Sequence, residues 1–107
     1  EEYVKKLLFR DDKFEIYIIT WNTNQKSLIH DHSSNGCIYK VLSGSIKENI
    51  YDKDLDLKYV KIINLDNCHF ISNDIGLHSM YNDNNDICVS LHIYSPSEHK
   101  TKYYNQD

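Results

Sequence analysis

Residues 27–51 read SLIHDHSSNGCIYKVLSGSIKENIY, and two features of this stretch decide the fold. The first is His30-Asp31-His32. Side chains two apart on a strand leave the same face, so both imidazoles stand where one metal ion can bridge them while Asp31 points the other way. Taken alone, such a pair reads equally well as two surface histidines on an edge strand. The second feature is the alternation from Cys37 to Leu42, broken at Ser43-Gly44 and resumed from Ser45 to Tyr51. That pattern predicts a hairpin with glycine at the tight position.

The same reading extends outward. Lys13 to Trp21 (KFEIYIITW) is rich in β-branched and aromatic residues, and a polar turn, Asn22 to Lys26, separates it from a strand at Ser27 to His32. After a charged turn, Asp52 to Asp56, strands are predicted at Leu57–Leu65, Cys68–Ser72, Leu77–Tyr81 and Ile87–Tyr94, the last ended by Ser95-Pro96. Residues 1–9 are ambiguous, and nothing in the middle of the chain has helical periodicity. About eight short strands at this spacing predict a sandwich or closed barrel. The expectation is a single domain over 1–107, with a core at 13–96 and a loose polar tail at 97–107.

Composition narrows the function classes. A chain of 107 residues has room for one small core. Its net charge of -4 is spread rather than blocked, which argues against nucleic acid as a partner. The longest apolar runs fall far short of the roughly 20 residues of a membrane span, and no secretory leader is visible. The chain begins Glu1-Glu2 and its one methionine is Met80, so it reads as a piece of a longer chain that lacks terminal segments. Cys37, Cys68 and Cys88 form no CxxC pair, and there is no Asn-x-Ser/Thr sequon; a reducing, cytoplasmic setting is expected.

Two further patterns carry chemistry. His78 follows a glycine in Ile75-Gly76-Leu77-His78 and offers a third ligand from a distant strand, as a site open on one side requires. His69 and His99 have no such frame and read as surface residues. In Cys88-Val89-Ser90-Leu91-His92-Ile93-Tyr94, period two separates an apolar face (Val89, Leu91, Ile93) from a polar one (Ser90, His92, Tyr94). A half-exposed strand is one reading of it. The other is a hydrogen-bonding chain in which serine orients imidazole and imidazole orients phenol, with the apolar face needing cover.

The opening stretch, followed by ISNDIGLHSMYN and VSLHIYSP, closely resembles cysteine dioxygenase, a thiol dioxygenase family of the cupin superfamily, over Lys13 to Pro96. The resemblance implies an all-β cupin fold, the double-stranded β-helix or jelly-roll barrel. It implies Fe(II) held by His30, His32 and His78, with Cys37 where ordinary cupins carry a glutamate ligand. Cys37 and Tyr94 are then the pair that forms a thioether, and Ser90 and His92 complete a Ser-His-Tyr relay. Trp21 matches a tryptophan closing the preceding strand, and His78 with Asn82 fits the second cupin motif. The implied reaction joins L-cysteine and dioxygen to give cysteine sulfinic acid, and a monomer is expected.

One departure concerns the substrate. The family binds the substrate carboxylate with an arginine close to a tyrosine; aligning Tyr3 with that tyrosine puts Lys5 at the arginine position. Arg10, the only arginine, is out of register. Lysine meets a carboxylate as a point charge rather than a fork, and Lys5 reads equally well as a solvated surface residue. Other small thiols (3-mercaptopropionate or cysteamine) and a non-redox metal-binding cupin, holding zinc or nickel, remain as alternatives.

Overall fold

The computed structural model describes residues 2–65 and 67–105. Its strands in chain order are β1 (Val4–Arg10), β2 (Glu15–Trp21), β3 (Ile29–His30), β4 (Cys37–Ser43), β5 (Ile46–Tyr51), β6 (Leu57–Ile63), β7 (Cys68–Ile71), β8 (Leu77–Tyr81), β9 (Cys88–Tyr94) and β10 (Tyr103–Tyr104). No helix occurs among the described residues. Two five-stranded sheets result, β1-β2-β9-β4-β7 and β10-β3-β8-β5-β6, each built from strands distant in sequence. This is the double-stranded β-helix of the cupins, and every strand pairing is antiparallel.

Period-two patterning explains how the sheets close. Cys37, Tyr39 and Val41 on β4 and Ile46, Glu48 and Ile50 on β5 are buried, while their neighbours are more exposed. Ile19, Trp21, Tyr39, Val41, Ile46, Ile50, Ile63, Ile71 and Met80 meet between the sheets as one core. The β4–β5 turn needs its glycine: Gly44 has φ +79°, and a Cβ there would lie 2.8 Å from the Ile87 carbonyl oxygen. Gly76 allows β8 to start tight against β5, since a Cβ would come within 2.5 Å of the Tyr51 carbonyl oxygen.

Three features depart from the sequence reading. The ambiguous N-terminus is β1, an exposed edge strand antiparallel to β2. An extra residue between Leu7 and Phe9 shifts its register, so Lys5, opposite Ile19, and Arg10, opposite Glu15, share the inner face despite their odd spacing. The second predicted strand shrinks to Ile29–His30, leaving His32 in the loop that follows. The tail as far as Asn105 is not loose. Tyr103 and Tyr104 pair with His30 and Ile29, and Asp31 fastens the approach by accepting from Lys102 N at 2.8 Å and His99 Nε2 at 3.0 Å. Tyr104 also packs on an outer cluster of Ile29, Tyr51 and Leu77.

On β9 the polar face is the inner one, as the reading of that strand as a hydrogen-bonding chain expected. The second sheet packs on its polar face: Ser90 and His92 are buried, while Val89, Leu91 and Ile93 are half-buried on the outside. Ile38 and Phe70 on the neighbouring strands are exposed on that same side. Chemistry, rather than apolar bulk, occupies the inner side of this strand.

Candidate metal centre

His30 and His78 are cross-strand partners on β3 and β8, which brings their Nε2 atoms to 3.0 Å. His32 joins them from the loop, and the three ligand nitrogens lie within 4.8 Å of one another. His32 has no strand partner, but Asn73 supplies an equivalent. His32 N donates to Asn73 Oδ1 at 2.9 Å, and Asn73 Nδ2 donates back to His32 O at 3.1 Å. The carboxamide thus exchanges the two bonds a neighbouring strand would give.

Every Nδ1 is committed. His30 Nδ1 faces Leu28 O at 2.8 Å, His32 Nδ1 faces Asn73 Oδ1 at 3.3 Å, and His78 Nδ1 faces Glu48 Oε2 at 2.6 Å. All three partners are acceptors, so each ring carries its proton on Nδ1 and presents an Nε2 lone pair. Two lone pairs 3.0 Å apart demand a cation between them. A shared proton could serve His30 and His78, yet His32 Nε2 would remain buried without a hydrogen-bond partner. A metal ion serves all three, so the donor set fits the ion implied by its chemistry.

Burial keeps His30 and His32 neutral. It pulls His30 well below its usual value and, with the nearby His78 adding to the effect, takes His32 down to about 3. Glu48 is fully buried. Burial pushes its carboxyl up, but hydrogen bonds from His78 and Tyr39 outweigh that and hold it below the ordinary carboxylate value. Lys61 Nζ stands 3.4 Å from the other oxygen.

The opposing sheet supplies a second group. Trp21 Nε1 donates to Ser90 Oγ at 3.0 Å, and Ser90 Oγ lies 2.8 Å from His92 Nε2. With the hydroxyl accepting from indole and donating to imidazole, the His92 proton sits on Nδ1, 4.0 Å from Cys37 Sγ. His92 faces Cys37, and among the described residues no hydrogen bond joins His92 to Tyr94. The two lie two apart on one strand, which stacks their rings 6.2 Å apart at 14° instead of setting edge to edge. Tyr94 is instead the direct cross-strand partner of Cys37. Burial raises the Cys37 thiol to about 12 and the Tyr94 phenol well above its usual value.

A small cavity lies beside the histidines, lined by Tyr3, Lys5, His30, His78, His92, Tyr94, Thr101 and Tyr103. Although β1 is an exposed edge, the Lys5 ammonium turns inward, 4.3 Å from the Tyr17 ring centroid and 5.0 Å from that of Tyr94. Burial there lowers its pKa. Tyr3 stacks on Trp21 with centroids 4.4 Å apart. Arg10 reaches the inner face but is held by Glu15 at 2.6 Å and the Tyr17 hydroxyl at 3.2 Å. Asn82 stays outside the cavity and ties its loop to the Trp21 and Asp86 carbonyls. His99 binds Asp31, and His69 stacks on Tyr39. Glu48, Tyr39 and Asn73 escaped the sequence reading. Only Glu48 left a signal there, a charge at an inward position between Ile46 and Ile50.

Comparison with known proteins adds to the geometry. A family model described as cysteine dioxygenase type I matches residues 1–107. Cysteine dioxygenase type 1 of Rattus norvegicus is 34% identical over 91 residues, covering 78% of this chain and 46% of the rat protein. That of Danio rerio is 29% identical over 102 residues, covering 88% and 51%. The chain thus spans about half the length of these relatives. Among solved structures, a double-stranded β-helix protein from Klebsiella pneumoniae superposes with TM-score 0.81 at 11% identity, covering 98% of this chain and 86% of that one. A polyketide cyclase from Streptomyces resistomycificus gives 0.80 at 15%, covering 100% and 74%. Likenesses at such identities speak for the fold alone.

The neutral buried rings set the acid sensitivity of the metal-free protein. His30, His32 and His92 have folded-state pKa values below their unfolded value of 6.5, so an unfolded chain binds protons that the folded one refuses. Their contribution is present above pH 6.5 and is lost as pH falls toward 3. Burial, first of all, brings His92 to about 3; that residue alone costs about 1.4 kcal/mol per pH unit below 6.5. Chelator-treated protein followed by thermal melts should show a Tm that is level above about pH 6.5 and falls from there to pH 5. A flat Tm across that range contradicts the neutral assignment.

Proposed function

The chain belongs to the cysteine dioxygenase type I family, and on that premise we propose that it is the metal-bearing part of a thiol dioxygenase that converts L-cysteine and dioxygen to cysteine sulfinic acid. The observation that carries this reading is the convergence of three Nε2 lone pairs beside a cavity holding an ammonium and a phenol. His30, His32 and His78 would hold Fe(II). When bound, that ion supplies the Lewis-acid and redox chemistry that brings a thiolate and dioxygen together. Both oxygen atoms end on sulfur, RSH + O2 giving RSO2H, so the substrate furnishes the electrons and no separate reductant is required.

The chain's own residues do the rest. Cys37, kept as a thiol, does not compete with the substrate sulfur as an anionic ligand. Tyr94, kept as a phenol, remains a hydrogen-bond donor toward the cavity. The Lys5 ammonium offers the charge that pairs with a substrate carboxylate, which favours cysteine over cysteamine. Tyr3 and Trp21 wall the cavity with apolar surface that excludes water.

Product analysis is the direct test. Protein loaded anaerobically with Fe(II), given cysteine and then air, is expected to yield cysteine sulfinate with one dioxygen consumed per thiol. Oxygen uptake that gives only cystine would overturn the assignment. Lys5→Ala should raise KM for cysteine about tenfold while leaving cysteamine kinetics unchanged, the loss expected of one charge-assisted contact. Equal effects on both thiols would remove Lys5 from carboxylate binding.

The register that sets Cys37 opposite Tyr94 also supports a thioether between them. A bond forms between Cys37 Sγ and a Tyr94 ring carbon, the S–H and C–H bonds break, and the two protons and two electrons released reduce dioxygen to hydrogen peroxide. Peptide mass analysis after turnover should find the two peptides joined and lighter by two hydrogens. Unlinked peptides would rule the bond out.

A further inference from the structure

We propose that Tyr39 and Lys61 are positioning residues that set the donor strength of His78 toward a metal ion, by tempering the carboxylate of Glu48 on which that ring leans. This rests on the metal-binding reading of the three histidines and goes beyond it. Neither residue touches the cavity; both act through Glu48.

The geometry is unusual in placing two donors on one carboxylate oxygen. His78 Nδ1 and the Tyr39 hydroxyl both reach Glu48 Oε2, at 2.6 and 2.5 Å. Among the described residues the remaining oxygen, Oε1, makes no hydrogen bond and meets the charge of Lys61 at 3.4 Å. A carboxylate behind a ligating imidazole pulls on its Nδ1 proton and makes the opposite nitrogen a stronger donor. Electron density given to Tyr39 is unavailable for that pull, and a nearby ammonium lowers it again. The Tyr39 ring lies between its two cross-strand neighbours, His69 at 5.7 Å and 26° and His92 at 5.8 Å and 11°. Lys61 reaches Glu48 from the surface with its side chain one-third exposed, at 32%. His78 therefore sits midway between a plain neutral imidazole and one strongly polarised by a naked buried carboxylate.

The test uses Co(II), which reports affinity by its visible absorption and marks ligand N–H protons by paramagnetic shifts. Three exchangeable imidazole resonances are expected from the wild-type protein. Glu48→Gln should weaken Co(II) binding about 10–100-fold. Tyr39→Phe keeps the ring but frees the oxygen; it should tighten Co(II) about fivefold, the worth of one modest hydrogen bond, and move one of the three resonances. Lys61→Met, a partly exposed substitution that leaves the core intact, should tighten binding by a smaller factor and move the same resonance. A merely structural role predicts weaker binding or no change. Unchanged or weakened affinity in Tyr39→Phe overturns the proposal, and if that variant does not fold, the same outcome in Lys61→Met overturns it. Wild-type protein that binds no Co(II) defeats the metal reading itself, so the two failures are distinguishable.

Discussion

Three imidazoles in this chain have their Nδ1 atoms tied to acceptors that the fold holds in place: a backbone carbonyl at Leu28, a side-chain amide at Asn73 and a buried carboxylate at Glu48. Tautomer and ring orientation follow from those contacts, and three lone pairs are left aimed at a shared point. Such an arrangement is repulsive without a cation. The three acceptors also differ in charge, so the ligands they orient are unequal, with His78 alone backed by an anion.

The rest of the barrel serves this constraint from two sides. Sheet β10-β3-β8-β5-β6 carries His30, His78 and Glu48, while sheet β1-β2-β9-β4-β7 carries Lys5, Trp21, Cys37, Ser90, His92 and Tyr94. The histidine cluster belongs to one layer and the groups proposed to act on a substrate to the other. Closing the sandwich is therefore what assembles the site. The Tyr39 hydroxyl links the layers, because its ring belongs to one sheet and the Glu48 carboxylate that accepts from it to the other.

Much of this was legible in the chain. Alternating β-branched and aromatic residues located β2, β4, β5, β8 and β9 within a residue or two, because period two is imposed by the pleat itself. The pairing of His30 with His32 was readable for the same reason, although only His30 is in a strand. What escaped depends on contacts between residues far apart in sequence. Asn73 stands 41 residues from the histidine it supports, and nothing local marks it. Glu48 and Tyr39 are ordinary residues in strands until Oε2 is seen to take both donors. The tail looked loose because it is polar, yet its order comes from Asp31, 71 residues before Lys102. The bulge in β1 hid the inward turn of Arg10, since simple alternation puts it on the other face from Lys5.

The support given to His32 has a consequence for its chemical durability. Asn73 uses both ends of its amide on a single residue, its NH2 against the His32 carbonyl and its oxygen against the His32 N–H. Hydrolysis of that amide to a carboxylate, the slow fate of many asparagines, would leave the shape of the side chain nearly unchanged. It would nonetheless set oxygen against oxygen where a donor had been, so ageing at one loop residue would loosen a histidine that no change of sequence had touched.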